Sequence, residues 1–163
     1  MHKQLILPLI LLSSLFGATA SAMTMQHNGM TMDEQGMIMN ENKDNLPKDC
    51  PKISQEINLT IHAGTKHAKQ YPGKMFAFDQ HEWEVPGCSK INLTLINDDH
   101  IRHQLMIHGL PGYLYTDGMF TIEIYGPGQK TASLIVPGDA KTYMMHCEVP
   151  QHMEKGIDRK SVV

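Results

Sequence analysis

From position 50 onward the chain is dominated by runs in which apolar and polar residues alternate. "EINLTIH" places Ile57, Leu59 and Ile61 on one side and Asn58, Thr60 and His62 on the other; "INLTLI" repeats the pattern with Ile91, Leu93 and Leu95. A period of two fits pleated backbone, because successive side chains of a strand point to opposite faces. Further strand candidates are "KMFAFDQHEWEV", "HQLMIH", "FTIEIY", "TASLIV" and "KTYMMHC", separated by the turn signals "PGC", "NDD", "LPG", "GPG" and "PGD". There is little helical periodicity. About eight short strands in some 114 residues predict an all-β domain over 50–163, a β-sandwich with Greek-key connections.

Two segments precede that domain. Residues 1–22 combine Lys3, the apolar run "LILPLILLSSLF" and the small-residue ending "ATASA", the pattern of a cleavable secretory signal with its cut after Ala22. No other apolar run approaches the roughly 20 residues of a membrane helix, so the expectation is a mature protein without a membrane span, in the periplasm. Residues 23–49 carry a repeat of seven, "MTMQHNG" then "MTMDEQG", and place Met23, Met25, Met30, Met32, Met37 and Met39 close together. Six of the thirteen methionines thus fall in a segment without aliphatic periodicity, which predicts a flexible arm. Thioether sulfur is a soft ligand that selects Cu(I), so these methionines, with His27, are candidates to share copper.

Signal removal takes away only Lys3 among charged residues, leaving 13 basic against 17 acidic and a formal charge of −4 instead of −3. That mild balance argues against a nucleic-acid partner. Three cysteines are an odd number for an exported protein, where thiols pair unless they have another use. Spacing alone does not give the connectivity. Cys147 sits among histidines and the other two do not, so the expected disulfide is Cys50 with Cys88.

"HCEVPQHMEKGI", from position 146, is the densest cluster of metal-ligating types. A soft copper site wants a thiolate and two imidazoles with a weak or absent fourth ligand. Cys147 and His152 supply two of these from one loop stiffened by Pro150. His103, entering a strand after a polar loop, is the candidate for the third. Strand parity agrees: His103 shares a face with Leu105 and Ile107, and Cys147 shares one with Tyr143 and Met145, so both point inward. His108 and His146 then point outward, as neighbours if their strands pair. Zinc is the main competitor, but the paired CxxC or HxxxH clusters of structural zinc sites are missing. A nucleophilic Cys147 with His146 or His152 as base would need an exposed thiolate and an oxyanion pocket, for which the sequence offers no sign.

At these residues the chain resembles a cupredoxin over roughly 50–163. "LIVPGDAKTYMMHCEVPQHMEKG" is similar to the last strand and ligand loop of that family, and "CSKINLTLIND" followed by "RHQLMIHG" to its middle strands and first histidine ligand. The resemblance implies a cupredoxin-like sandwich in which His103, Cys147 and His152 hold type 1 copper. Azurin-like members carry a disulfide where Cys50 and Cys88 fall. Ile157 stands ten after the cysteine, where many members have an axial methionine, so either this copper has no thioether axial ligand or another residue replaces it, with Met153 the nearest candidate. Signal, Met/His-rich arm and domain together are most similar to periplasmic copper-tolerance cupredoxins of the CopI type. A second likeness is to copper nitrite reductases, whose type 2 copper histidines match His108 and His146, a candidate second copper position. That pattern's catalytic aspartate is replaced by Met106, and no second domain supplies a third imidazole.

The expected function is therefore copper binding in tolerance or homeostasis, with redox cycling of the metal and copper ions as partners, together with another periplasmic copper or redox protein. The alternatives are a single-electron carrier of a respiratory chain, and a copper oxidase or reductase using His108 and His146. Of these, the carrier leaves the methionine repeat without a use.

Overall fold

The computed structural model describes residues 23–152 and the strand Asp158–Val162. The expected signal peptide, Met153 and Ile157 lie outside the described residues. In chain order the strands are β1 (Met25–His27), β2 (Met30–Asp33), β3 (Gly36–Met39), β4 (Glu56–Gly64), β5 (Ala77–Phe78) and β6 (Lys90–Asn97). They continue with β7 (His103–His108), β8 (Met119–Ile124), β9 (Gly128–Ile135), β10 (Thr142–His146) and β11 (Asp158–Val162), and one helical turn, α1 (Thr65–Ala68), follows β4. Two sheets pack face to face, one ordered β1-β2-β3-β8-β7-β10-β11 and the other β5-β4-β6-β9. The alternating runs thus become strands at the expected places. Of "KMFAFDQHEWEV" only Ala77–Phe78 forms a described strand, although Phe76 and Trp83 beside it enter the core.

Strand β6 shows why the alternation works. Ile91, Leu93, Leu95 and Asn97 are buried, while Lys90, Asn92, Thr94 and Ile96 are partly exposed. Its inward residues join Ile61 from β4 and meet Leu105, Ile107, Phe120, Ile122, Tyr143 and Met145 from the other sheet. Each such side chain, once fully buried, contributes roughly 1.5–3 kcal/mol of transfer free energy. Strands β4 and β6 are parallel, paired from Glu56↔Lys90 to Ala63↔Asn97, so the chain between them must cross over rather than turn tightly. Cys50 and Cys88, bonded to each other, tie that crossover together ahead of the two strands.

The segment expected to be a flexible arm is corrected by the structure. Residues 25–39 form three strands that extend the larger sheet, and β3 pairs with β8 from Gly36↔Ile124 to Met39↔Thr121. Two turns account for this. Asn28 and Gly29 adopt φ values of 43° and 77°, the left-handed pair that a tight hairpin requires and that Asn-Gly supplies at low cost. At the second turn the carboxylate of Asp33 accepts the N–H groups of Gln35 and Gly36. Gly36 itself, at φ 151°, lies so close to β8 that a Cβ would overlap the carbonyl oxygen of Glu123. Beyond β3 the Asn40 side chain donates to the carbonyls of Thr116 and Met119, both at 2.8 Å, so the segment is fastened at its far end too.

The disulfide closes a loop of 38 residues. Replacing both Cys50 and Cys88 by Ser is expected to lower unfolding stability by about 2–5 kcal/mol, read from the shift of the urea midpoint at unchanged slope.

Candidate metal centre

Where the larger sheet meets the smaller one at one end of the core, three side chains converge. Strand β7 begins at His103, Cys147 follows directly after β10, and a turn closed by the His152 N–H donating to the Val149 carbonyl (2.9 Å) folds His152 back. One nitrogen of each imidazole and the Cys147 Sγ all lie within 4.8 Å of one another. Sγ is 3.6 Å from His152 Nδ1. Cys147 and His103 have no exposed surface, and His152 is only 7% exposed. Strand parity therefore placed His103 and Cys147 correctly, on the inner face.

The surroundings are specific. Nε2 of His103 is 2.8 Å from Asp99 Oδ2, which fixes the ring and leaves Nδ1 as its free ligand atom. That Nδ1 is buried and has no hydrogen-bond partner, a situation that costs about 1–3 kcal/mol unless something else satisfies the lone pair. A metal ion would do so, and a carboxylate behind the histidine is the usual means of orienting a metal ligand. Phe76 stacks on His152 with ring centroids 4.3 Å apart and meets His103 edge-on at 5.4 Å. Sγ of Cys147 accepts the backbone N–H of Gln104 at 3.4 Å. Gln104 in turn accepts the N–H of Glu148 and donates to Glu123, which ties the ligand loop to β7 and β8.

Desolvation pushes the Cys147 thiol above its ordinary pKa, more than the N–H groups of Val149 and Gln104 pull it down. His103 is shifted down, because desolvation outweighs the attraction of Asp99. The metal-free site therefore holds a protonated thiol and a neutral imidazole, and loading it with a metal releases the thiol proton. Asp99 is raised by desolvation, but the hydrogen bonds from His103 and Thr65 bring it below the usual carboxylate value.

No family model matches the chain. Over 115 residues it is 27% identical to Copper resistance protein A of Pseudomonas syringae pv. tomato, a match covering 68% of this chain and 19% of that protein. The chain therefore spans about a fifth of the length of that relative. Among solved structures, a laccase from Pediococcus acidilactici superposes with a TM-score of 0.51 at 18% identity, covering 75% of this chain and 30% of the other. Auracyanin from Roseiflexus castenholzii superposes at 0.49 with 21% identity over 65% of this chain and 95% of its own. The domain has the cupredoxin fold.

Within this cupredoxin fold the outer face of the larger sheet carries the other residues singled out by sequence. Strands β7 and β10 pair, with Met144 opposite His108 and His146 opposite Met106. The rings of His108 and His146 stack, centroids 4.7 Å apart and 5° from parallel. His146 is 2% exposed, so it is not a surface histidine, and His108 Nε2 and His146 Nδ1 are both buried without a hydrogen-bond partner. Glu148, which sequence reasoning passed over, brings a carboxylate within 4.8 Å of both imidazoles. The methionines fall on the same face. Register aligns Met25, Met32 and Met37 in one row, and His27, Met30 and Met39 in the next. The second row continues across the sheet through Thr121 and Met106 to His146. Met23 precedes β1 and is 87% exposed.

Asp99, Phe76 and Gln104 were not singled out by sequence. The first had a signal, since "NDD" was read as a turn and an Asp four before a ligand histidine is within reach of its ring; the others depend on contacts between distant parts of the chain. A direct check of the site is the thiol. In the native metal-free protein Cys147 is expected to resist alkylation at pH 8 while one thiol per chain reacts in urea; equal rates in the two states would contradict its burial and raised pKa.

Proposed function

We propose that this protein is an exported, periplasmic copper-binding cupredoxin acting in copper tolerance, with a type 1-like site formed by His103, Cys147 and His152. The observation that carries the reading is the buried Nδ1 of His103, without a hydrogen-bond partner, in a pocket shared with the Cys147 thiol and the His152 imidazole. One thiol and two imidazoles match the donor set of blue-copper sites. Copper bound there would supply a couple that takes up or releases one electron. Asp99 holds the His103 ring in place, Cys147 gives up its proton on loading, and Phe76 covers both imidazoles against water. The fourth position either has no thioether ligand or is filled by Met153, the methionine nearest in sequence to the ligand loop.

The methionine-bearing strands are the proposed entry point for Cu(I), with Met23, Met25, His27, Met30, Met32, Met37 and Met39 as its ligands. Two cross-strand rows of soft donors on one sheet face support this, because neighbouring side chains of paired strands stand close enough to share an ion. Similarity to a copper-resistance protein supports tolerance over a pure electron carrier, in which the rows would have no use. The second reading is an oxidase or reductase with another copper at His108 and His146. It is favoured by the stacking of the two rings and by the buried, unpartnered His108 Nε2 and His146 Nδ1.

Growth in copper of cells lacking the protein tests the proposal. The parent is expected to restore tolerance and Cys147→Ser to fail, with the Met30, Met32, Met37 and Met39 to Leu variant in between. Equal growth with parent and Cys147→Ser would overturn it. For the second reading, copper per chain must fall in His108→Ala.

A further inference from the structure

A third cluster of ligand types shares no residue with either group above. His62 leaves β4, His67 sits on α1 and Asp98 follows β6, and their Nδ1, Nε2 and carboxylate atoms lie within 4.8 Å of one another. Oδ2 of Asp98 is 3.0 Å from His62 Nδ1 and 2.9 Å from His67 Nε2. The Lys66 ammonium reaches the same oxygen at 3.0 Å. In a tetrahedral site with ligands near 2.1 Å, neighbouring donor atoms stand about 3.4 Å apart. The two carboxylate-to-imidazole distances are already slightly shorter than that edge.

The cluster is built on fixed backbone. The N–H of His62 donates to the Asp79 carboxylate (2.8 Å) and its carbonyl accepts the Asp79 N–H (2.9 Å). The N–H of Asp98 donates to the Ala63 carbonyl at 3.0 Å. Thr65, at the start of α1, donates its N–H and its hydroxyl to Asp99, both at 2.9 Å, which holds His67 over Asp98. Side-chain exposures of 33% for His62, 16% for His67 and 20% for Asp98 leave the cluster open to ions from solution.

We propose that His62, His67 and Asp98 form a binding site for a borderline divalent cation, Zn(II) or Cu(II), in which the ion displaces the Lys66 ammonium. Two imidazoles and a carboxylate suit such ions, whereas Cu(I) prefers sulfur donors. The Lys66 ammonium beside Asp98 sits on a side chain that is 55% exposed, so it swings into solvent at little cost. Three protein ligands leave one coordination position for water, as in exchangeable rather than closed structural sites. The site shares no ligand with the Cys147 centre, although Asp99 links the two through Thr65 and His103, and it would survive if the copper reading failed.

The probe is Zn(II), titrated calorimetrically into the Cys147→Ser protein, where the first centre is disabled. One equivalent is expected to weaken by roughly tenfold or more in His67→Ala and in Asp98→Asn, with the melting temperature of the metal-free protein checked alongside. Lys66→Met removes the competing ammonium and is expected to tighten that same equivalent several-fold, a gain that misfolding does not imitate. Zn(II) binding of unchanged stoichiometry and affinity in His67→Ala, or weaker binding in Lys66→Met, would overturn the proposal.

Discussion

The arrangement on which the rest depends is the burial of a thiol between two imidazoles at the end of an apolar core. Cys147 and His103 have no exposed surface and His103 Nδ1 has no hydrogen-bond partner, so the metal-free site carries an uncompensated polar group where water does not reach. Such a cost persists only if the surrounding structure holds it. Here the holding is done by the packed core beneath Leu105, Ile107 and Met145, by Asp99 behind His103, and by the link from Gln104 to both Cys147 and Glu148. The strands bring the ligands to one end; the loops only close the site.

How much of this was legible in the sequence follows from which interactions are local. Alternation in "INLTLI" and "HQLMIH" fixed the faces of β6 and β7, because strand parity needs no knowledge of partners. The same parity put His103 and Cys147 inside, and the odd cysteine left Cys50 to pair with Cys88, as the structure has it. The cluster of His62, His67 and Asp98 was invisible by comparison. Asp98 lies 36 and 31 residues from His62 and His67 along the chain and meets them because β4 and β6 run parallel with Ala63 opposite Asn97.

The methionine segment shows the limit of composition. Lacking aliphatic periodicity, residues 23–49 read as a flexible arm, yet Asn28-Gly29 and Gly36 carry the turn and the close approach that lay β3 along β8. Strand pairing there is driven by backbone hydrogen bonds and two turns, with half-buried methionines on the outer face. The consequence for function is that the thioethers are ordered in rows rather than scattered along a loose chain, and the second row runs across the sheet to His146. His146 is the residue before Cys147, so the outer face and the buried centre are joined by one peptide bond.

The central claim is that copper is held by the Cys147 thiolate with His103 and His152. The most direct measurement is the visible absorption spectrum of the Cu(II)-loaded protein, taken with its copper content. The account predicts an intense thiolate-to-copper charge-transfer band that disappears in Cys147→Ser. A loaded protein showing only the weak bands of copper bound by nitrogen and oxygen, or a band that survives in Cys147→Ser, would contradict it.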